Sequence, residues 1–265
     1  MDRKVRKIKD ILKTLKRVVI AYSGGLDSAF LLKIAVDTLG KGNVLAVTAR
    51  SETYPESEYR EAVRIAKRIG ARHLTIHTEE LKIKNFKSNP VNRCYYCKSE
   101  LFSKLDKIRG KYGMAHLLDG TNYDDLKDVR HGRKAAVELG VRSPLLEAKV
   151  KKSDIRKFSK SLKLPTWDKP AFACLASRFP FNSRITKRGL RKVEEAEEAL
   201  RKMGFKQVRV RLHGDMARLE LTKKDFIKAV RAGDAIVSGL KKLGIIYISL
   251  DLSGYRTGSM HEALL

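Results

Sequence analysis

The chain is poor in cysteine, tryptophan, proline and acidic residues. Its 265 residues include three cysteines, one tryptophan and six prolines, and aromatic residues make up 7%. Three cysteines, an odd number, cannot make a disulfide framework, so a reducing cytoplasm is the expected setting. The N-terminus lacks the apolar stretch of a signal peptide, and no run approaches the length of a transmembrane helix. A membrane partner is therefore not expected. Neither an internal repeat nor a low-complexity segment beyond the basic N-terminus is visible.

What remains is charge and size. Lys and Arg number 57 against 30 Asp and Glu, a formal net charge of +27 spread along the chain. Two readings stand: an electrostatic surface for RNA or polyanionic nucleotides, and the basic surface of a heat-adapted protein. Thin aromatic interleaving argues against extensive base stacking. From Arg3 to Leu15, basic residues alternate with Val5, Ile8, Ile11, Leu12 and Leu15 as in an amphipathic helix. The length allows one large domain or two modest ones, and two is the preferred division.

The most informative segment follows the apolar run Val18 to Tyr22, whose clustered β-branched residues read as a buried strand. Next come Ser23, Gly24, Gly25, Leu26, Asp27 and Ser28, and then Phe30, Leu31, Ile34 and Ala35 at helical spacing. A strand thus feeds a glycine turn into a helix N-terminus. Gly24 and Gly25 permit close backbone approach, so amide groups can surround an anion at the positive end of the helix, with hydroxyls from Ser23 and Ser28. The arrangement reads as a pyrophosphate-binding loop. A loop for γ-phosphate transfer would need GxxxxGK followed by Ser or Thr, and that Lys is missing.

Strands and helices then alternate. Val44 to Thr48, Arg72 to His77 and His116 to Asp119 read as strands; Glu58 to Ile69, Lys98 to Tyr112 and Val129 to Leu139 read as helices. This order predicts an α/β fold, a doubly wound parallel sheet with ligands at the carboxyl ends of its strands. The loop and Gly120 to Asn122 fall on that edge. Pro165, Pro170 and Pro180 break the pattern, giving a first domain over 1–165, a linker over 166–185 that holds Cys174, and a small α+β domain over 186–265. In the last, Lys187 to Met203 and most of Lys223 to Leu243 read as helical, with strands at Gln207 to Leu212, Ala217 to Leu221 and Ile245 to Leu250.

Beyond the loop, three elements carry chemistry. Cys94 and Cys97 form a CxxC whose spacing lets two thiolates reach one metal centre. A four-cysteine zinc site would need a second pair, and only Cys174 remains. Three thiolates can hold a four-iron cluster with one iron open; three unliganded thiols are the plain alternative. Cys174 is followed by Arg178, read either as a cation favouring the thiolate or as a surface residue. Arg209 and Arg211 alternate with Val208, Val210 and Leu212, so both guanidiniums share one strand face. That face suits a phosphate monoester, or is solvated. Glu194, Glu195, Glu197 and Glu198 read as solvent-facing charge.

The segment SGGLDS resembles the signature of the PP-loop ATP pyrophosphatases. Together with NRCYYCK, DGTNYDDLKDVRHGRKA, ACLASR, VRVRLHGDMARLEL and LDLSGYRTGSM, it resembles the ATP-dependent sulfur transferases that build the nickel-pincer cofactor of lactate racemase. The likeness spans nearly the whole chain and implies a PP-loop adenine nucleotide alpha hydrolase-like fold. It further implies adenylation of a carboxylate on a pyridinium dicarboxylate mononucleotide, followed by sulfur insertion to give a thiocarboxylate. Carried over by motif, Ser23, Gly24, Gly25, Asp27 and Ser28 would hold pyrophosphate and Mg²⁺ of ATP. Thr48 and Gly120 would line the adenosine site, and Arg209 and Arg211 would grip the substrate phosphate. Glu197, with Asp225 as a weaker match, would coordinate a metal or act as base.

In one form of the family the residue matching Cys174 is sacrificed, leaving dehydroalanine. Here Cys94 and Cys97 accompany Cys174, which favours the subgroup where three cysteines hold a [4Fe-4S] cluster fed by a sulfide donor. The small domain is expected to bind substrate phosphate and to make a homo-oligomer. The rival function is tRNA thiolation, the one reading with a nucleic-acid partner. An amidating synthetase would need no cysteine, and a nucleotide-binding module would release no pyrophosphate.

Overall fold

The computed structural model describes residues 2–127, 131–170, 173–256, 259 and 262. Val129, where the third expected helix starts, and Thr257, Gly258 and Met260 of the closing motif lie outside them. The chain divides into two units: residues 1–80 with 92–172, and residues 81–91 with 173–265.

In the first unit, helix α1 (Arg3–Leu15) precedes strand β1 (Val18–Ala21), helix α2 (Leu26–Leu39), strand β2 (Val44–Arg50), helix α3 (Glu56–Ile69) and strand β3 (Arg72–His77). The chain then contributes the short helix α4 (Lys84–Lys87) to the second unit. It resumes with α5 (Arg93–Lys111), β4 (His116–Leu118), α6 (His131–Glu138), α7 (Pro144–Glu147) and α8 (Lys152–Ser161). The four strands are parallel in the order β3-β2-β1-β4. Winding from β1 outward to β3, then back past β1 to β4, creates a switch point between β1 and β4, where ligands of such sheets bind.

Alternation along β1 explains the two helix layers. Val18 and Ile20, with Val44 and Ala46, bury against α1, α2, α3 and α8 through Ile8, Leu12, Phe30, Ile65 and Phe158. Val19, Leu45 and Val47 point the other way, onto Phe102 and Leu105 of α5 and Ala136 of α6. Helix α2 is apolar nearly all round because it lies beneath other helices as well as on the sheet.

In the second unit, α9 (Lys187–Lys202) lies against a small mixed sheet of β5 (Val208–His213), β6 (Met216–Leu221) and, after α10 (Phe226–Arg231) and α11 (Gly233–Lys242), β7 (Tyr247–Leu250). Strand β6 pairs antiparallel with β5 and parallel with β7. Residues 81–91 are tied in by backbone bonds from Asn182 N to Asn89 O and from Ile185 N to Lys87 O. No helix among the described residues is long and apolar enough to cross a membrane.

Candidate active site

The loop from Ser23 to Ser28 leaves β1 at its carboxyl end, as expected. Gly24 sits at φ +64°, and a Cβ there would come 2.5 Å from the Ala62 Cβ. Helix α3 therefore presses on the loop, and Tyr22 Oη fixes it there by donating to Ala62 O at 3.1 Å. Gly25 is the N-cap of α2 without a side-chain cap bond, so the first-turn amides are not spent on a capping oxygen. Ser23 N donates to Ser28 Oγ at 3.3 Å, and Tyr54 Oη donates to Ser23 O at 2.6 Å. Asp27 lies in the first turn of α2.

Gly120 follows β4 across the switch point, where a Cβ would lie 3.0 Å from Ser28 N and 3.3 Å from the Asp27 carbonyl carbon. The structure thus brings Gly120 onto the first turn of α2. Thr48, in the carboxyl half of β2, is 1% exposed. Its hydroxyl donates to Tyr22 O at 2.8 Å and lies 2.8 Å from His73 Nε2. With its single proton spent on Tyr22, Thr48 must accept from His73, which fixes the tautomer with hydrogen on Nε2. Burial lowers the His73 pKa, in keeping with a neutral ring.

Helix α5 starts at Arg93 rather than Lys98, so Cys94 lies in its first turn and Cys97 at the start of its second, three residues apart. That spacing puts both thiols on one face, at the positive end of the helix. Cys94 is exposed and Cys97 half-buried. Cys97 Sγ is 3.8 Å from Glu80 Oε1, which also accepts from Thr78 Oγ1 at 2.9 Å. Burial pushes the Glu80 carboxyl up. Nothing in the sequence pattern marked Glu80 as a neighbour of the pair.

Cys174 belongs to the second unit, half-buried at the start of the turn Leu175–Arg178. Arg178 is fully buried, so its reading as a surface cation does not hold. From inside the turn, its Nη1 donates to Ala173 O at 2.6 Å and Cys174 O at 3.1 Å, while Nε and Nη2 fork onto Glu197 at 2.8 and 3.1 Å.

Glu197, too, is no solvent-facing charge, since α9 turns it inward to 0% exposure. It accepts in addition from Arg201 Nη2 and from Val210 N. Burial alone would raise its pKa, but Arg178, Arg209 and Arg201 outweigh burial and hold the carboxyl below the usual range. A metal at Glu197 would have to displace these donors. Asp225, the weaker acidic match, accepts from Thr222 Oγ1 at 2.5 Å.

Arg209 and Arg211 share one face of β5 through their pairing with Glu220 and Arg218 of β6. That face is not solvated, because Arg209 is 7% and Arg211 5% exposed. Arg211 reaches Glu220 Oε2, Ser259 Oγ and Ser177 O at 2.8 to 2.9 Å, and its Nε finds no acceptor among the described residues. Arg209 lies 5.5 Å over the Tyr255 ring. Burial and then the nearby Arg178 lower its pKa to about 10. Three buried guanidiniums thus meet two buried carboxylates, Glu197 and Glu220. Such an imbalance suits an anion.

Among the described residues, no three His, Cys, Asp or Glu side chains gather into a group that could hold a metal ion. The three cysteines match a four-iron cluster in donor type and number, with Cys94 and Cys97 in the first unit and Cys174 in the second.

A parallel sheet, a glycine loop after β1 and a second glycine closing on it from β4 define the PP-loop class of nucleotide-binding α/β domains. The model of the NAD synthase family matches residues 2–100. An uncharacterized protein of Synechocystis is 41% identical over 100% of this chain and 99% of its own length. Pyridinium-3,5-bisthiocarboxylic acid mononucleotide synthase of Lactiplantibacillus plantarum is 39% identical over 96% of this chain and 92% of its own. An uncharacterized protein of Methanocaldococcus jannaschii is 33% identical over 96% and 98%. The chain belongs to the family of that synthase, a family of enzymes.

Proposed function

We propose that the chain is an ATP-dependent sulfur transferase acting on pyridinium-3,5-biscarboxylic acid mononucleotide. The observation that carries this is the loop at the switch point: glycines held close by Ala62 and by Ser28, with uncapped helix amides facing the carboxyl edge. Such a site suits a pyrophosphate, and Asp27 supplies a hard oxygen for Mg²⁺ held together with ATP phosphates. The excess of buried guanidinium around Arg209 and Arg211 supports a grip on the phosphate of a mononucleotide.

In the reaction a substrate carboxylate oxygen attacks the α-phosphorus, and the bond to the bridging oxygen breaks with its electron pair leaving on pyrophosphate. A sulfur nucleophile then adds to the acyl carbon and expels AMP, giving the thiocarboxylate. The sulfur has two candidate sources. Cys174 can form a thioester and lose its sulfur by β-elimination, leaving dehydroalanine. Alternatively, a four-iron cluster held by Cys94, Cys97 and Cys174 would supply a sulfide when bound.

Anaerobic turnover with Mg-ATP and the dicarboxylate mononucleotide, followed by product mass and intact protein mass, tests both levels. Release of AMP and pyrophosphate with thiolated product is expected. A chain lighter by one sulfur assigns the donor to Cys174; an unchanged chain containing iron, with activity lost in Cys94→Ala, assigns it to the cluster. Absence of substrate-dependent pyrophosphate release would sink the function.

The charge of +27 favours one second reading, thiolation of tRNA. It requires tRNA binding that survives moderate salt.

A further inference from the structure

Lys169 plays no part in the site as read from sequence, yet its ammonium lies on the phosphate loop. Nζ is 3.4 Å from Gly24 O, 2.8 Å from Glu58 Oε2 and 2.7 Å from Glu61 Oε2, and the side chain is 11% exposed. Its backbone is clamped, because Arg156 donates to Trp167 O at 2.8 Å and to Lys169 O at 3.0 Å. The base of the side chain is thereby fixed while Nζ remains on a flexible four-carbon stem.

Two glutamates beside an anion-binding loop oppose its purpose unless a cation stands between them. One lysine and two carboxylates sum to −1, and the exposed Arg64, 3.7 Å from Glu61 Oε1, brings the group to neutrality and leaves Glu61 a second partner when the ammonium moves. A highly charged triphosphate at the loop would present oxygens that compete with Glu58 and Glu61 for the same ammonium. No Lys follows the glycines in the manner of a γ-phosphate loop, and Lys169 brings one to this loop from more than 140 residues away.

We propose that Lys169 is a catalytic residue of adenylation, the cation that takes up the charge of departing pyrophosphate. It rests between Glu58 and Glu61 before nucleotide arrives, then shifts onto the β-phosphate side of ATP. As the carboxylate oxygen bonds to the α-phosphorus, the bridging bond breaks toward pyrophosphate, and the ammonium stabilises the new negative charge without giving up a proton. The inference rests on the adenylation reading given above.

The test uses the full chain with Mg-pyrophosphate and AMP as separate probes in calorimetric titration, plus substrate-dependent exchange of labelled pyrophosphate into ATP. Lys169→Met is expected to weaken pyrophosphate binding on the order of tenfold or more, the loss of one charge-assisted contact, with AMP affinity unchanged. Exchange should fall in kcat more than in KM for the carboxylate substrate. Lys169→Arg, which keeps the charge, should recover part of both. The double variant Glu58→Gln/Glu61→Gln keeps the ammonium and frees it, so its pyrophosphate binding should tighten.

Equal pyrophosphate affinity in wild type and Lys169→Met, or a parallel loss for pyrophosphate and AMP, would overturn the inference while leaving adenylation intact. If Lys169→Met fails to fold, weaker pyrophosphate binding in the double variant overturns it instead. Wild-type protein that binds no pyrophosphate and catalyses no exchange would overturn the adenylation reading and this inference together.

Discussion

At the scale of single residues, the site depends on places where one atom more cannot fit. Gly24→Ala puts a methyl group against Ala62 at a backbone angle that side chains rarely adopt. A stability loss on the order of 1–3 kcal/mol is expected, measured by urea unfolding, with protection by Mg-ATP abolished. Glu197→Gln has a different cause, leaving the buried Arg178 guanidinium facing a neutral amide. Breaking a buried pair in this way costs about 3–5 kcal/mol. The pH dependence has a definite sign. The folded-state pKa of Glu197 lies below its ordinary value, so the contribution is complete at neutral pH and is lost as pH falls through the depressed folded value. Unfolding midpoints of wild type should therefore drop on acidification more steeply than those of Glu197→Gln.

At the scale of elements, α8 stands out because its sequence gives little notice of it. Lys152–Ser161 is dominated by Lys, Ser and Arg, with Ile155, Phe158 and Ser159 as its buried residues. Its Phe158 stacks on Phe30 of α2 with ring centroids 6.0 Å apart. Since α2 carries the loop amides, Phe158→Ala is expected to cost about 3–5 kcal/mol and to loosen nucleotide binding, read from denaturant midpoint and ATP affinity together. The strands and α2 were legible because their apolar residues are dense and regularly spaced. The early start of α5 was not, since Arg93, Cys94, Tyr95, Tyr96 and Cys97 follow no helical apolar period. Alternating Arg and Val along β5 fixed which face the two guanidiniums share. It could not show that the face is buried, because Glu197 and Glu220 reach it from neighbouring elements, and Ser177 and Ser259 from 34 and 48 positions away.

At the scale of the whole molecule, +27 is a load the fold carries against its own repulsion. Screening should relieve it, so the melting temperature is expected to rise between low and moderate ionic strength, measured by scanning calorimetry; a flat or falling trend would count against it. Binding to a polyanion such as heparin should weaken over the same range. The short excursion of residues 81–91 into the second unit bears on how the protein is made. Asn89 finds its partners at Phe179 and Pro180, 90 and 91 positions further on. At about 5–20 residues per second, that stretch leaves the ribosome on the order of 5–20 s before anything it can pair with. Through that interval the nascent chain must keep residues 81–91 out of the sheet forming on either side of them, so a pause in translation between Asn89 and Pro180 would prolong the most vulnerable moment in the protein's synthesis.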